Sequence, residues 1–189
     1  MLKGCTPWPA EFARRYREAG YWEGLNLWGV LERAIDRWPE RIALVHGPRR
    51  LTYAELGLAV TALAIQLLQR GLRPLDRAVL QLPNSVEFVV AFFALVRIGV
   101  IPVLALPAHR RAEVDHFVVH SGAVAYLVAD RMRGFDYRPM AAEIAAARPA
   151  LKHVLVLGEA GPGQVSLSKM LRIAPPPDAA ALLAPPPPA

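Results

Sequence analysis

Gly99–Arg111 reads GVIPVLALPAHRR, an apolar run carrying Pro102 and Pro107 that turns abruptly into a histidine and two arginines. An apolar stretch of this length, bounded by a glycine and Pro107, suits a strand buried on both faces of a parallel sheet, where polar alternation is not required. The polar HRR then falls just past the strand's carboxyl end. In open α/β sheets that edge gathers ligand-binding loops, so His109, Arg110 and Arg111 are candidate site residues. The competing reading is that the two arginines open the next helix on its wet face.

On either side of this run, helical and extended patterns alternate. Upstream, Asn84 with Glu87 three residues on predicts a capped helix ending at Gly99, preceded by a strand over Ala78–Leu82. Thr52 with Glu55 forms the same kind of capping box and opens a helix with apolar period to Arg70, stopped by Gly71. IALVH, the turn GPR and RLT read as a β-hairpin, and a helix over Leu27–Arg37 stops before Pro39. Pro9 and Gly20 bracket a further helix over AEFARRYREA, with Phe12 and Tyr16 on one face. Downstream, strands over Ile101–Ala105, Ala125–Val128 and Val154–Leu157 are separated by helices over Arg110–His120 and Asp136–Ala147. This alternation means βαβ units: an α/β fold with a mainly parallel sheet, helices on both faces, an amino-terminal helical appendage and a β-hairpin. The expected division is an appendage at 1–38, a partial α/β unit at 39–173, and a proline- and alanine-rich linker or tail at 174–189, expected to be extended or disordered.

Composition excludes several classes. The chain has 189 residues, 54% hydrophobic, enough for a real core. Lys and Arg total 22 against 16 Asp and Glu, a formal charge of +6. The basic residues stand in scattered pairs, Arg14 with Arg15, Arg49 with Arg50, and Arg110 with Arg111, without interleaved aromatics, which argues against nucleic acid. A solvated basic surface, or attraction to an acidic protein partner, fits better. The single Cys5 permits no internal disulfide, as in a reducing cytoplasm, and no secretory signal is expected at the start. Val86–Pro107 is mostly apolar, but Arg97, Gly99 and Pro102 divide it into pieces short of the roughly 18 to 20 residues of a spanning helix.

A search for catalytic patterns returns none: no G-x-x-x-x-G-K-[ST], no G-x-G-x-x-G, no G-x-S-x-G and no H-E-x-x-H. His116 and His120 stand four apart on a helix beside Asp115, with His109 near in sequence, but two histidines without third and fourth ligands read as surface residues. Cys5 has no neighbouring base to activate it. Asp130, just past a strand, and Asp136, at a helix start, read as structural. Phe88, Phe92 and Phe93 stand at helical spacing and read as core.

Several segments resemble one known family. WPAEFARRYREAGYWEGLNLWGVL at Trp8–Leu31 resembles the opening of stand-alone aryl-acid adenylating enzymes of siderophore biosynthesis, the 2,3-dihydroxybenzoate–AMP and salicylate–AMP ligases. RLTYAEL at Arg50–Leu56 is similar to the first core motif of the wider adenylate-forming superfamily. FFALVRIGVIPVLALPAHRRAEV at Phe92–Val114 resembles its second, in the aryl-acid form. HSGAVAYLVAD at His120–Asp130 and GFDYRPMA at Gly134–Ala141 fit the same branch.

The resemblance implies the amino-terminal part of the family's large domain. It implies a cytoplasmic two-step ligase using ATP and Mg2+ that makes an aryl-adenylate and passes the acyl group to the phosphopantetheine thiol of an aryl carrier protein. The family's Ser/Thr/Gly-rich phosphate loop ending in Pro-Lys, its aryl pocket, ribose-binding aspartate and mobile-domain lysine would all correspond to positions beyond Ala189. No catalytic, cofactor-binding or metal residue is therefore assigned, and the chain alone is expected to bind no cofactor tightly. Two readings follow. One is an incomplete or truncated ligase. The other is a non-catalytic module that keeps the fold fragment to bind a partner such as an acidic carrier protein, with Arg14, Arg15 and Arg17 as candidate contacts. A sheet without its remaining strands is also expected to leave apolar surface uncovered and to behave poorly in solution.

Overall fold

The computed structural model describes residues 5–183. Its amino-terminal part holds helices α1 (Ala10–Glu18) and α2 (Leu27–Arg37), the antiparallel hairpin β1 (Ile42–His46) and β2 (Arg49–Thr52), and the long helix α3 (Tyr53–Gln69). Then come β3 (Arg77–Gln81), α4 (Val86–Arg97), β4 (Ile101–Leu104), α5 (Arg111–Ser121) and β5 (Ala125–Ala129). A short antiparallel ribbon, β6 (Arg131–Met132) and β7 (Phe135–Asp136), precedes α6 (Tyr137–Ala147) and β8 (His153–Leu157). The last elements are β9 (Val165–Ser166), α7 (Leu167–Met170) and α8 (Ala179–Leu182).

Five strands form one parallel sheet in the order β4-β3-β5-β8-β9. From β3 the chain steps to β4 on one side, then crosses back over β3 to β5 and on to β8. Right-handed crossovers in opposite directions place α4 on one face and α5 and α6 on the other. The inner strands are apolar on both faces, and Ala78, Val79, Leu80, Tyr126, Leu127, Val128, Leu155 and Val156 are buried.

The strand in the PVLALPAHR run departs from expectation. It is an edge strand, partly exposed along its length, and Leu104 is 57% exposed. Proline explains the placement. Ile101 and Ala105 donate their N–H groups to the Asp76 and Leu80 carbonyls, so the alternate residues Pro102 and Leu104 face away from β3. A proline has no N–H to lose there, whereas in a central strand it would break the ladder. The outer edge of β4 thus offers a single donor, the Leu104 N–H, which blunts it against strand addition.

Local signals account for most helix starts. Thr52 and Glu55 form the expected reciprocal cap of α3. At α4 the cap is Ser85 rather than Asn84: Ser85 has extended backbone and accepts the Phe88 N–H. Glu87 does not fold back to a cap but pairs with Arg49 of the hairpin. α2 docks on α3 and α4 through buried Leu31 and through Arg97, whose guanidinium lies 4.0 Å from the Trp28 ring and donates to the Thr61 hydroxyl. Burial pushes the Arg97 guanidinium down from its ordinary value. α1 buries only Ala13 and is held by an aromatic cluster around Tyr16, whose ring centroid lies 5.4 Å from that of Trp22 and 6.3 Å from that of Trp8.

Within the proline- and alanine-rich stretch expected to be extended or disordered, Ala179–Leu182 closes one helical turn. Leu183 packs against the core. Apolar contact gives this alanine-rich turn a folded conformation that its prolines alone would not suggest. Residues 184–189 lie outside the described residues.

The carboxyl ends of β5 and β8 are joined by Asp130, whose carboxylate accepts the N–H groups of Arg131 (2.6 Å) and Glu159 (2.9 Å). Gly158 sits against that carboxylate with φ +104°, and a Cβ there would lie 2.2 Å from Asp130 Oδ2. Gly158→Ala is predicted to cost about 2 kcal/mol or more from combined strain and displacement of the Asp130 bonds. In a thermal melt this appears as a loss of about 5 °C or more; an unchanged midpoint would contradict it.

Candidate functional site

In an open α/β sheet, the crevice at the carboxyl ends of strands whose connections leave to opposite faces is the usual ligand site. Here that point lies between β3 and β5. It is filled by the chain itself. The connection from β4 to α5 crosses the end of β3, and its segment Leu106–Arg110 is tied down by Gln81, the last residue of β3. The fully buried Gln81 amide donates to the Leu106 carbonyl (2.8 Å) and the His109 carbonyl (3.0 Å), while its own carbonyl oxygen accepts the Tyr126 hydroxyl of β5. Burial pushes the Tyr126 phenol far above its ordinary value, so it serves only as a neutral donor.

A second set of bonds closes the loop from the other side. Tyr137, buried at the start of α6, donates its hydroxyl to the Pro107 carbonyl. The Arg110 guanidinium lies 3.0 Å from the carbonyls of Pro107, Ala108 and His109 and from the Tyr137 oxygen, and it stacks 4.3 Å over the Phe135 ring. His109 accepts the Leu106 N–H on Nδ1 (3.1 Å) and meets the Phe117 ring edge-on. The Glu113 carboxylate accepts the Arg110 N–H (2.9 Å), and that bond holds its carboxyl below the usual carboxylate range. Of the three candidate residues, His109 and Arg110 are therefore inward-bonded parts of the loop. Arg111 faces outward and pairs with Glu143 at 3.3 Å.

The other candidates divide in a similar way. Asp130 is committed to the turn described above. Asp136 caps α6 through the Arg138 N–H (3.0 Å) and receives both Nε (2.9 Å) and Nη2 (2.6 Å) of the Arg138 guanidinium, which hold its carboxyl down at about 2. Asp115 receives a two-pronged bond from Arg148 (2.8 and 2.6 Å) that joins α5 to the end of α6 and lowers its carboxyl. His116 and His120 stand exposed on α5 with their rings stacked. Cys5 is exposed. Phe88, Phe92 and Phe93 are partly buried and pack against the core. Arg14, Arg15 and Arg17 do not form one face: helical spacing spreads them around α1, Arg14 pairs with Glu18 at 3.8 Å, and Arg17 sits 5.6 Å from the Trp22 ring.

Gln81, Tyr126 and Tyr137 were not singled out from the sequence. The available signal was a lone amide ending the apolar strand AVLQL, since a polar side chain buried there needs partners of its own. The charged groups around the strapped loop are not free to hold a triphosphate or a divalent ion. Arg110, Arg138, Asp130 and Asp136 are each committed to partners within the chain, and among the described residues no three His, Cys, Asp or Glu side chains gather to hold a metal. No helix of the described residues is long and apolar enough to cross a membrane.

Gln81→Leu leaves the buried Tyr126 hydroxyl without a partner and takes one of two donors from each of the Leu106 and His109 carbonyls, and is predicted to cost about 1–3 kcal/mol, read from a denaturant midpoint. Tyr126→Phe, which orphans one acceptor, should cost about 1–2 kcal/mol; equal, near-zero effects would contradict the network. Asp136 gives an acid signature. Its carboxyl is depressed in the folded state, so its contribution is fully present above the unfolded value near 3.9 and is lost as pH falls through about 2. Asp136→Asn is predicted to flatten the fall in melting temperature across that window, and a variant with the parent's acid slope would contradict this.

Comparison with known proteins agrees with this architecture. The family model described as AMP-binding enzyme matches residues 31–186. The chain is 51% identical over 160 residues to triostin synthetase I of Streptomyces triostinicus, covering 85% of this chain and 30% of that protein. It is 49% identical over 166 residues to the salicyl-AMP ligase / salicyl-S-ArCP synthetase of Mycobacterium tuberculosis, covering 85% and 29% respectively. Among solved structures, apo MbtA of Mycobacterium smegmatis superposes with a TM-score of 0.83 at 44% identity, over 92% of this chain and 32% of that one. The chain thus spans about 30% of the length of the curated relatives it matches. With the family model matching most of its length, the chain belongs to the AMP-binding enzyme family, corresponding to the amino-terminal part of its members.

Proposed function

We propose that the chain is the amino-terminal scaffold of an aryl-acid adenylating ligase. In that reaction an aryl carboxylate such as salicylate or 2,3-dihydroxybenzoate attacks the α-phosphate of ATP, with Mg2+ usual, and pyrophosphate leaves. The thiol of a carrier protein's phosphopantetheine arm then attacks the acyl carbon and AMP leaves. Siderophore biosynthesis in the cytoplasm is the proposed setting. The observation that carries the reading is the 49% identity, across 85% of this chain, to a protein named salicyl-AMP ligase.

The chain's part in that chemistry is positional. A reaction that brings a carboxylate to a polyphosphate needs fixed donors and a cation where negative charge develops. Arg110, Arg138, Asp130 and Asp136 at the carboxyl edge of this sheet are bonded within the chain, so the chain contributes the rim against which other residues work. The division proposed is an appendage at 1–38, the partial α/β unit at 39–173 and a linker at 174–189, with no catalytic, cofactor or metal residue of the reaction supplied.

The test is a pair of ATP–pyrophosphate exchange assays. The chain alone is predicted to show no exchange dependent on salicylate or dihydroxybenzoate. A chimera in which its residues 10–173 replace the matching segment of the mycobacterial ligase is predicted to retain salicylate-dependent exchange. Activity of the chain alone, or a folded chimera without exchange, would overturn the proposal.

A further inference from the structure

We propose that His116 and His120 form a bidentate surface site for a divalent ion that prefers imidazole, such as Ni2+, Cu2+ or Zn2+, with water filling the remaining positions. The sequence argued against a structural or catalytic metal for want of further protein ligands. The structure supports a different kind of site. The two side chains stand one above the other on consecutive turns of α5, their ring centroids 5.4 Å apart and their planes within 16° of parallel. Both residues are exposed, and among the described residues neither imidazole enters a hydrogen bond or an ion pair, so both rings are free to turn a nitrogen toward a shared ion.

The helix beneath them is fixed. Val114 and Val118 are buried on its inner face, the Arg148–Asp115 bond ties its middle to α6, and Gly122 closes its end in the left-handed conformation. A rigid helix presenting imidazoles at i and i+4 holds two ligands in place before the ion arrives, which is the arrangement helical zinc sites use for their histidine pair. Two nitrogen donors select borderline transition ions and give no purchase to Mg2+, which demands oxygen. The site lies on α5 away from the carboxyl edge of the sheet, so it is independent of the proposed ligase reading.

Isothermal titration of the full chain carrying Cys5→Ser with Ni2+ alone, at neutral pH, tests it. One Ni2+ per chain is expected, undiminished by excess Mg2+. His116→Ala and His120→Ala are each expected to weaken binding on the order of 10²-fold, the lower end of what a tethered second ligand contributes. Moving one histidine off the shared face, with Ser121→His combined with His120→Ala, should fail to restore it. Circular dichroism shows whether each variant stays folded, and His120→Gln replaces any that does not. Absence of Ni2+ binding to the folded parent, or binding that survives both single substitutions or the displaced pair, would overturn the proposal.

Discussion

One buried amide, Gln81, organises the carboxyl edge of the sheet. A primary amide excluded from water costs free energy for every hydrogen bond it fails to make, so its position is tolerable only because three partners meet it. Two of those partners are main-chain carbonyls of Leu106 and His109, which also receive the His109 N–H and the Arg110 guanidinium. The amide's demand falls on this one loop. It draws the loop after β4 across the end of β3 and fixes where α5 begins. It also sets the floor on which Arg110, Phe135 and Tyr137 stack.

The same economy explains the chemistry of the edge. A basic loop at the switch point of an α/β sheet would ordinarily suggest an anion site. Here the Arg110 guanidinium faces three carbonyls and an aromatic ring, and Arg138 is locked to Asp136. Charges spent this way build a stiff platform. The curated relatives that the chain matches are about three times its length.

Much of the fold was readable because local rules and global topology agreed. Thr52–Glu55, Gly71 and Gly99 punctuate helices by mechanisms that act within a few residues, and the apolar strands follow from their lack of alternation. Where the reading failed, a longer-range partner decided. Asn84 lost the cap to Ser85, and Glu87 was taken by Arg49, 38 residues away. β4 read as central because its side chains are apolar, while its place in the sheet was decided by the missing N–H of Pro102. The candidate loop was legible by position, but its role was not. Whether His109 and Arg110 point outward or inward depends on Gln81 and Tyr126, which approach from two other strands and leave no periodic trace.

Native-state hydrogen exchange on the intact chain tests the central claim most directly. A loop strapped by a buried network opens only when the sheet opens, so the amides of Leu106, His109 and Arg110 should exchange with protection comparable to those of β3 and β5. Free exchange at those three amides, while the strand amides stay protected, would mean that the segment is an ordinary surface loop and that Gln81 does not hold it.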